Sequence, residues 1–192
     1  MKILEIILIG VALSMDACAL TISNCTTYKK TLNRKKEWAM PVLFALFQGL
    51  MPLAGFYIGS TFAESISSVS GYIVSAVFFA LSIKMLFDYV KELKAKDESI
   101  DENANLSFWV IILQAVLTSI DALVVGVTLS LNLSFSIFYA VLIIAGVTFI
   151  LVALALLFGK FLGKVMGKYS TIFGIIILFA LALKNLLETV LY

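Results

Sequence analysis

The chain has 192 residues, of which 62% are hydrophobic and only 14% charged, with no histidine and a formal net charge of +2. Soluble domains carry about 45–50% apolar and about 25% charged residues, so this composition leaves little room for a soluble catalytic domain. It describes an all-α integral membrane protein.

Apolar stretches run over 3–25, 39–60, 68–91, 108–131, 134–158 and 169–191. Each meets the roughly 20 helical residues that a bilayer core requires, which predicts six transmembrane helices. The first holds "ALSMDACAL" at 12–20, with Asp16 in the middle of an otherwise apolar run. It lacks the basic start and small-residue cleavage site of a signal peptide, so it reads as a retained helix. The second, "MPVLFALFQGLMPLAGFYIGS", carries Gln48 and Pro52 four residues apart, a spacing that frees a backbone carbonyl beside the glutamine. The third ends in the charged segment 91–107, expected to be a solvated loop. The fourth holds "LTSIDALVV" at 117–125, which repeats the first helix's feature with Asp121. The fifth has Thr148 where the second has Gln48, and the sixth ends in Lys184 with Glu188 four residues on. Lys84 and Asp88 share that spacing in the third, so both pairs read as ion pairs within a helix.

Eleven of the fourteen basic residues fall in the first, third and fifth connections, 29–36, 91–96 and 160–168. The positive-inside rule then puts both termini outside the cell (inner) membrane. The lysines and arginines serve topology and lipid headgroups, with no reason to invoke nucleic acid.

The chain repeats itself. "SMDA" at 14–17 returns as "SIDA" at 119–122, and "FALSIKMLFDYV" at 79–90 returns as "FALALKNLLETV" at 179–190. A duplicated unit of three helices must enter the membrane from opposite sides, so the expected fold is two inverted three-helix repeats, 1–95 and 108–192, joined by a charged cytoplasmic linker, 96–107. Such folds hold their site at the bilayer midplane, where both aspartates fall by residue count. In each copy a hydroxyl follows the aspartate by seven residues: Ser23 after Asp16 and Thr128 after Asp121. Helical geometry puts Glu5 and Ala12 near the Asp16 face and Gln114 and Val125 near that of Asp121. Buried carboxylates at membrane depth are costly and need a partner. Without histidine the remaining donors are oxygens, a set suited to Mg²⁺, Ca²⁺ or Mn²⁺ ahead of copper or zinc, or to protons. Gln48 and Thr148 serve equally well as such ligands or as hydrogen-bonded links between helices.

"ALSMDACAL", "FALFQGLMPLAGFYIG" and "TSIDALVVGVTL" together resemble the signature segments of MntP-type manganese efflux pumps, in the lysine-exporter-like transporter group. The resemblance spans the whole chain. It implies export of Mn²⁺ as transported substrate, not as a cofactor, with Asp16 and Asp121 as the functional carboxylates and Gln48 beside them. The metal site expected on this reading comprises Asp16, Asp121, Gln48, Ser23, Thr128 and Thr148, worked by alternating access. No Walker motif is present to supply energy, so H⁺ is the expected counter-ion. Two other readings stand beside it. A CcdA-type thiol-disulfide carrier needs one cysteine per repeat, yet Cys18 and Cys25 are both in the first copy, ~10.5 Å apart along one helix. A non-transporting scaffold leaves the paired aspartates without a purpose.

Overall fold

The computed structural model describes residues 3–28, 32–61, 70–94, 106–132 and 136–191. These form helices α1 (Ile3–Thr27), α2 (Arg34–Ser60), α3 (Ser70–Lys94), α4 (Phe108–Thr118), α5 (Ile120–Asn132) and α6 (Ile137–Leu191), and no strand occurs among them. Among the described residues four stretches are long and apolar enough to cross a membrane: Ile3–Cys25, Arg34–Ser60, Phe108–Leu131 and Ile137–Phe158. Large apolar side chains such as Leu46, Trp109, Leu142 and Phe87 point outward, as suits a protein whose solvent is lipid. Most of the expected linker lies outside the described residues. Leu106, placed in that loop by composition, is instead fully buried against the start of α4.

Three elements differ from the sequence expectation. The fourth apolar stretch is two helices, broken at Ser119 (φ −94°, ψ 0°), whose N–H donates to Val116 O at 3.2 Å. Two adjacent hydroxyls stand at the break: Thr118 Oγ1 donates to Gln114 O at 2.8 Å, and Ser119 Oγ to Val116 O at 2.9 Å. Both compete for carbonyls that the helix ladder uses. By contrast α2 runs unbroken through Pro41 and Pro52. Finally, the fifth and sixth stretches form one assigned element, α6, which cannot be a straight rod. Ile144 lies against Gly10 of α1, while Lys184 pairs with Glu5. Residues 5 and 10 are only ~7.5 Å apart along α1, whereas forty residues of straight helix span ~60 Å. The backbone therefore doubles back between residues 144 and 184.

Helix directions follow from the contacts. Phe79 of α3 meets Phe179 of α6 with ring centroids 5.3 Å apart, and Ser82 Oγ donates to Ile175 O at 3.4 Å, so these segments are antiparallel. Gly55 of α2 meets Leu123 and Gly126 of α5, and Gly59 meets Val127 and Ser130, a register that rises along both helices, so these two are parallel; Pro52 also lies against Gly126. That last contact is backbone on backbone. A Cβ at Gly55 would strike Leu123 O, one at Gly59 would sit 2.9 Å from Val127 Cα, and one at Gly126 would sit 2.6 Å from Pro52 Cα. The Gly55-xxx-Gly59 and Gly126-xxx-Ser130 spacings are the small-residue pattern that lets helices approach closely in lipid.

Gly126→Leu should therefore force α2 and α5 apart, costing upwards of about 1–3 kcal/mol and reducing the yield of monodisperse protein in detergent. Gly146→Ala, where an added Cβ meets nothing within 4 Å, should leave elution profile and thermal transition unchanged.

Candidate functional site

The buried apolar side chains form two clusters stacked along the helices. One contains Ile9, Leu13, Met15, Phe78, Ala122, Val125, Ile144 and Leu181; the other contains Ala17, Ile22, Phe44, Ala115 and Val152. A polar residue marks the crossing from one to the other on each of four segments. On α1 Asp16 lies between Met15 and Ala17. On α2 Gln48 lies between Phe44 and Met51, which packs on the first cluster. On α4 and α5 Ser119 and Asp121 lie between Ala115 and Ala122. On α6 Thr148 lies between Ile144 and Val152. A single polar layer thus divides the apolar interior.

Within this layer Asp121, Gln48, Ser119 and Thr148 are buried and Asp16 is half-buried. Asp121 stands in the first turn of α5, just past the Ser119 break, and its Oδ1 accepts from the Ala122 N–H at 3.0 Å. The charges of Asp16 and of Lys84 both act on Asp121, so the fold brings the two aspartates of the two copies into one electrostatic neighbourhood. Gln48 Nε2 donates to Leu13 O at 2.8 Å, one turn before Asp16. The glutamine thus ties α2 to α1 through its amide nitrogen. Thr148 Oγ1 is buried and has no hydrogen-bond partner among the described residues. An unpaired buried hydroxyl costs about 1–3 kcal/mol, which marks a position suited to gaining a ligand.

The other two expected ligands lie to either side of the layer. Thr128 is fully buried between Val125 and Leu129 in the first cluster, and its hydroxyl donates to Val125 O at 2.7 Å. Ser23 is exposed on α1, beyond the second cluster's Ile22. Among the described residues no three of His, Cys, Asp or Glu come together, so the layer offers two carboxylates and neutral oxygens. Cys18 and Cys25 form no disulfide and are buried in the second cluster.

Sequence reasoning overlooked two polar pairs. Asn24 Nδ2 donates to Gln114 Oε1 at 2.8 Å and Gln114 Nε2 to Asn24 Oδ1 at 3.3 Å, joining α1 to α4. Lys184 Nζ lies 2.9 Å from Glu188, the spacing expected, and also 2.7 Å from Glu5 Oε1 on α1. An acid in the first turn of an apolar helix was the available signal, because such a charge needs a base nearby. The expected Lys84–Asp88 pair falls on a side chain, that of Asp88, outside the described residues.

Comparison with known proteins agrees with this chemistry. A sequence profile for the family described as "Putative manganese efflux pump" matches residues 31–186. Among curated relatives, proteins named as manganese efflux pumps of this type are 38% identical in Ruminiclostridium cellulolyticum, over 96% of this chain and 95% of that relative, and 37% identical in Campylobacter hominis, over 96% and 97%. A third, from Wolinella succinogenes, is 35% identical over 96% of this chain and 97% of its own length. No solved structure matches the chain. With a profile match over most of its length and relatives aligned almost end to end, the chain belongs to the MntP family of manganese efflux pumps.

Proposed function

We propose that this chain is a secondary transporter that carries Mn²⁺ out of the cytoplasm, through alternating access at the polar layer of Asp16, Asp121, Gln48 and Thr148. The layer is the observation that carries the reading. A non-transporting scaffold has no use for two carboxylates and an unpaired hydroxyl at one depth between two dry clusters, and placing an ionised carboxylate at mid-helix costs roughly 2.5–3.5 kcal/mol. The names of the relatives supply the ion. Mn²⁺ is then cargo, and the family is one of transporters, not enzymes.

The fold that serves this is six spans in two inverted repeats, 1–95 and 108–192, with both termini outside. Two contacts support it. Phe79 and Phe179 hold the same position in the two copies and face each other, as a two-fold axis between α3 and α6 requires. The parallel packing of α2 on α5 requires α3 to run back across the membrane between them.

In the inward-open state, Asp16 and Asp121 exchange part of the ion's water shell for carboxylate oxygen, while Gln48 and Thr148 offer neutral oxygens from α2 and α6. Thr128 and Ser23 line the approach on either side of the layer. Moving a divalent cation out against ~100 mV costs about 4.6 kcal/mol, and an entering proton that replaces Mn²⁺ on a carboxylate meets part of that cost. The bilayer is the protein's solvent throughout. The thiol-carrier reading gains nothing from two cysteines buried in one apolar cluster on one helix.

Asp16→Asn and Asp121→Asn should each abolish Mn²⁺ uptake into everted vesicles and resistance of cells to excess Mn²⁺, with membrane insertion preserved. Full uptake by either variant removes that carboxylate from the site. Thr148→Val is more discriminating, since it deletes only the unpaired hydroxyl. Folding stability should hold or rise, while transport falls about tenfold, equivalent to ~1.4 kcal/mol of lost ion stabilisation. Competition between ions probes the donor set. With no nitrogen or sulfur to exploit, Zn²⁺ at equal concentration should compete poorly with Mn²⁺, and better transport of Zn²⁺ would sink the oxygen-only site.

A further inference from the structure

We propose that the Glu5–Lys184 ion pair is the outer gate of the transport path and the Asn24–Gln114 amide pair its inner gate, unequal in strength so that the inner one opens more readily. The proposal rests on the orientation and transport reading above.

All the parts lie on or against α1. Glu5 and Asn24 are nineteen residues apart, or ~28 Å along the helix, close to the full ~30 Å of a bilayer core. Asp16 lies between them, in the polar layer. Each end of α1 is fastened to a different partner: Glu5 to Lys184 of α6 at 2.7 Å, Asn24 to Gln114 of α4 at 2.8 Å. With both fastenings closed, α1 is held at both faces of the membrane and the layer is shut off from each. Between the fastenings α1 packs along α6 and is tied to α2 by Gln48, so it can tilt about this middle and open a path at whichever end lets go.

The two fastenings differ in chemistry. The outer one is an ammonium, 41% exposed, shared between the Glu5 side chain at 9% exposure and Glu188 at 59%. The inner one is a pair of neutral amides, one of its two bonds stretched to 3.3 Å. Charge-assisted bonds are roughly twice as strong as neutral ones. The duplication does not dictate this. At the equivalent positions of the second copy, 105 residues on, Val110 stands for Glu5 and Leu129 for Asn24, so neither fastening has a counterpart there. An exporter must load from the cytoplasm, and a weaker inner fastening biases the resting carrier toward loading.

The test reads accessibility and does not depend on the cargo. A single reporter, Ala12→Cys, is placed at a fully buried position on the Asp16 face of α1, in a Cys18→Ala and Cys25→Ser background. Full-length protein in oriented vesicles is labelled by a membrane-impermeant maleimide from either side. Glu5→Gln should raise labelling from the outside about tenfold, by loss of a charge-assisted bond, and leave the inside rate unchanged. Gln114→Leu should raise the inside rate alone. The triple exchange Glu5→Lys, Lys184→Glu and Glu188→Lys inverts every charge, keeps both ion pairs and should return outside labelling to the parent rate. If Glu5→Gln leaves outside labelling unchanged, or raises it equally from both sides, the gate assignment is overturned. Should the transport reading fail instead, the parent will move no Mn²⁺ while the sidedness of labelling persists.

Discussion

Everything in this molecule answers to one constraint: a carboxylate cannot stay charged in hydrocarbon without something to face. Asp16 and Asp121 both sit where the buried apolar side chains pass from one cluster to the other, and an acid in such surroundings is stable only when it faces a polar partner. The polar layer is the result. It lies between two apolar clusters that share α1, α2 and the first half of α6, while α3, α5 and the end of α6 pack in one and α4 in the other.

The layer also sets what the surrounding helices must do. Water is absent as a hydrogen-bond partner of last resort, so each polar group in or near the layer either finds a protein partner or waits for a ligand. Gln48 finds Leu13 O, and Thr118 and Ser119 find carbonyls of their own helix, breaking it immediately before Asp121. Thr148 finds none among the described residues. Thr148 lies on α6, the helix that packs along α1.

Close packing makes the arrangement rigid where it must be. The contact of α2 with α5 leaves no space for a side chain at Gly55 or Gly126, so those helices move together. Helix α1 packs along α6, with the backbone at Gly10 close to Ile144, is tied to α2 by Gln48, and carries a side-chain pair near each end, one ionic and one amide.

Several features were legible in the sequence for physical reasons that act locally. Bilayer thickness converts apolar run length into helices, and the mutual match of the segments around Asp16 and Asp121 identified the family later shown by the profile and relatives. The Lys184–Glu188 spacing predicted its pair because neighbours four apart share a helix face whatever the rest of the chain does. What tertiary structure decided was every choice between helices. A helical wheel gives the direction of Glu5 about its own axis but not that Lys184, 179 residues away, arrives there. Pro52 marked α2 as the helix with a freed carbonyl, and α2 runs on through it, whereas the break at Ser119 carries no proline or glycine to announce it. Ser23 and Thr128 shared their aspartates' faces by count, but seven residues are ~10.5 Å of rise, enough to carry both out of the layer. Angle is written in the sequence; depth relative to a neighbour is settled only when the helices pack.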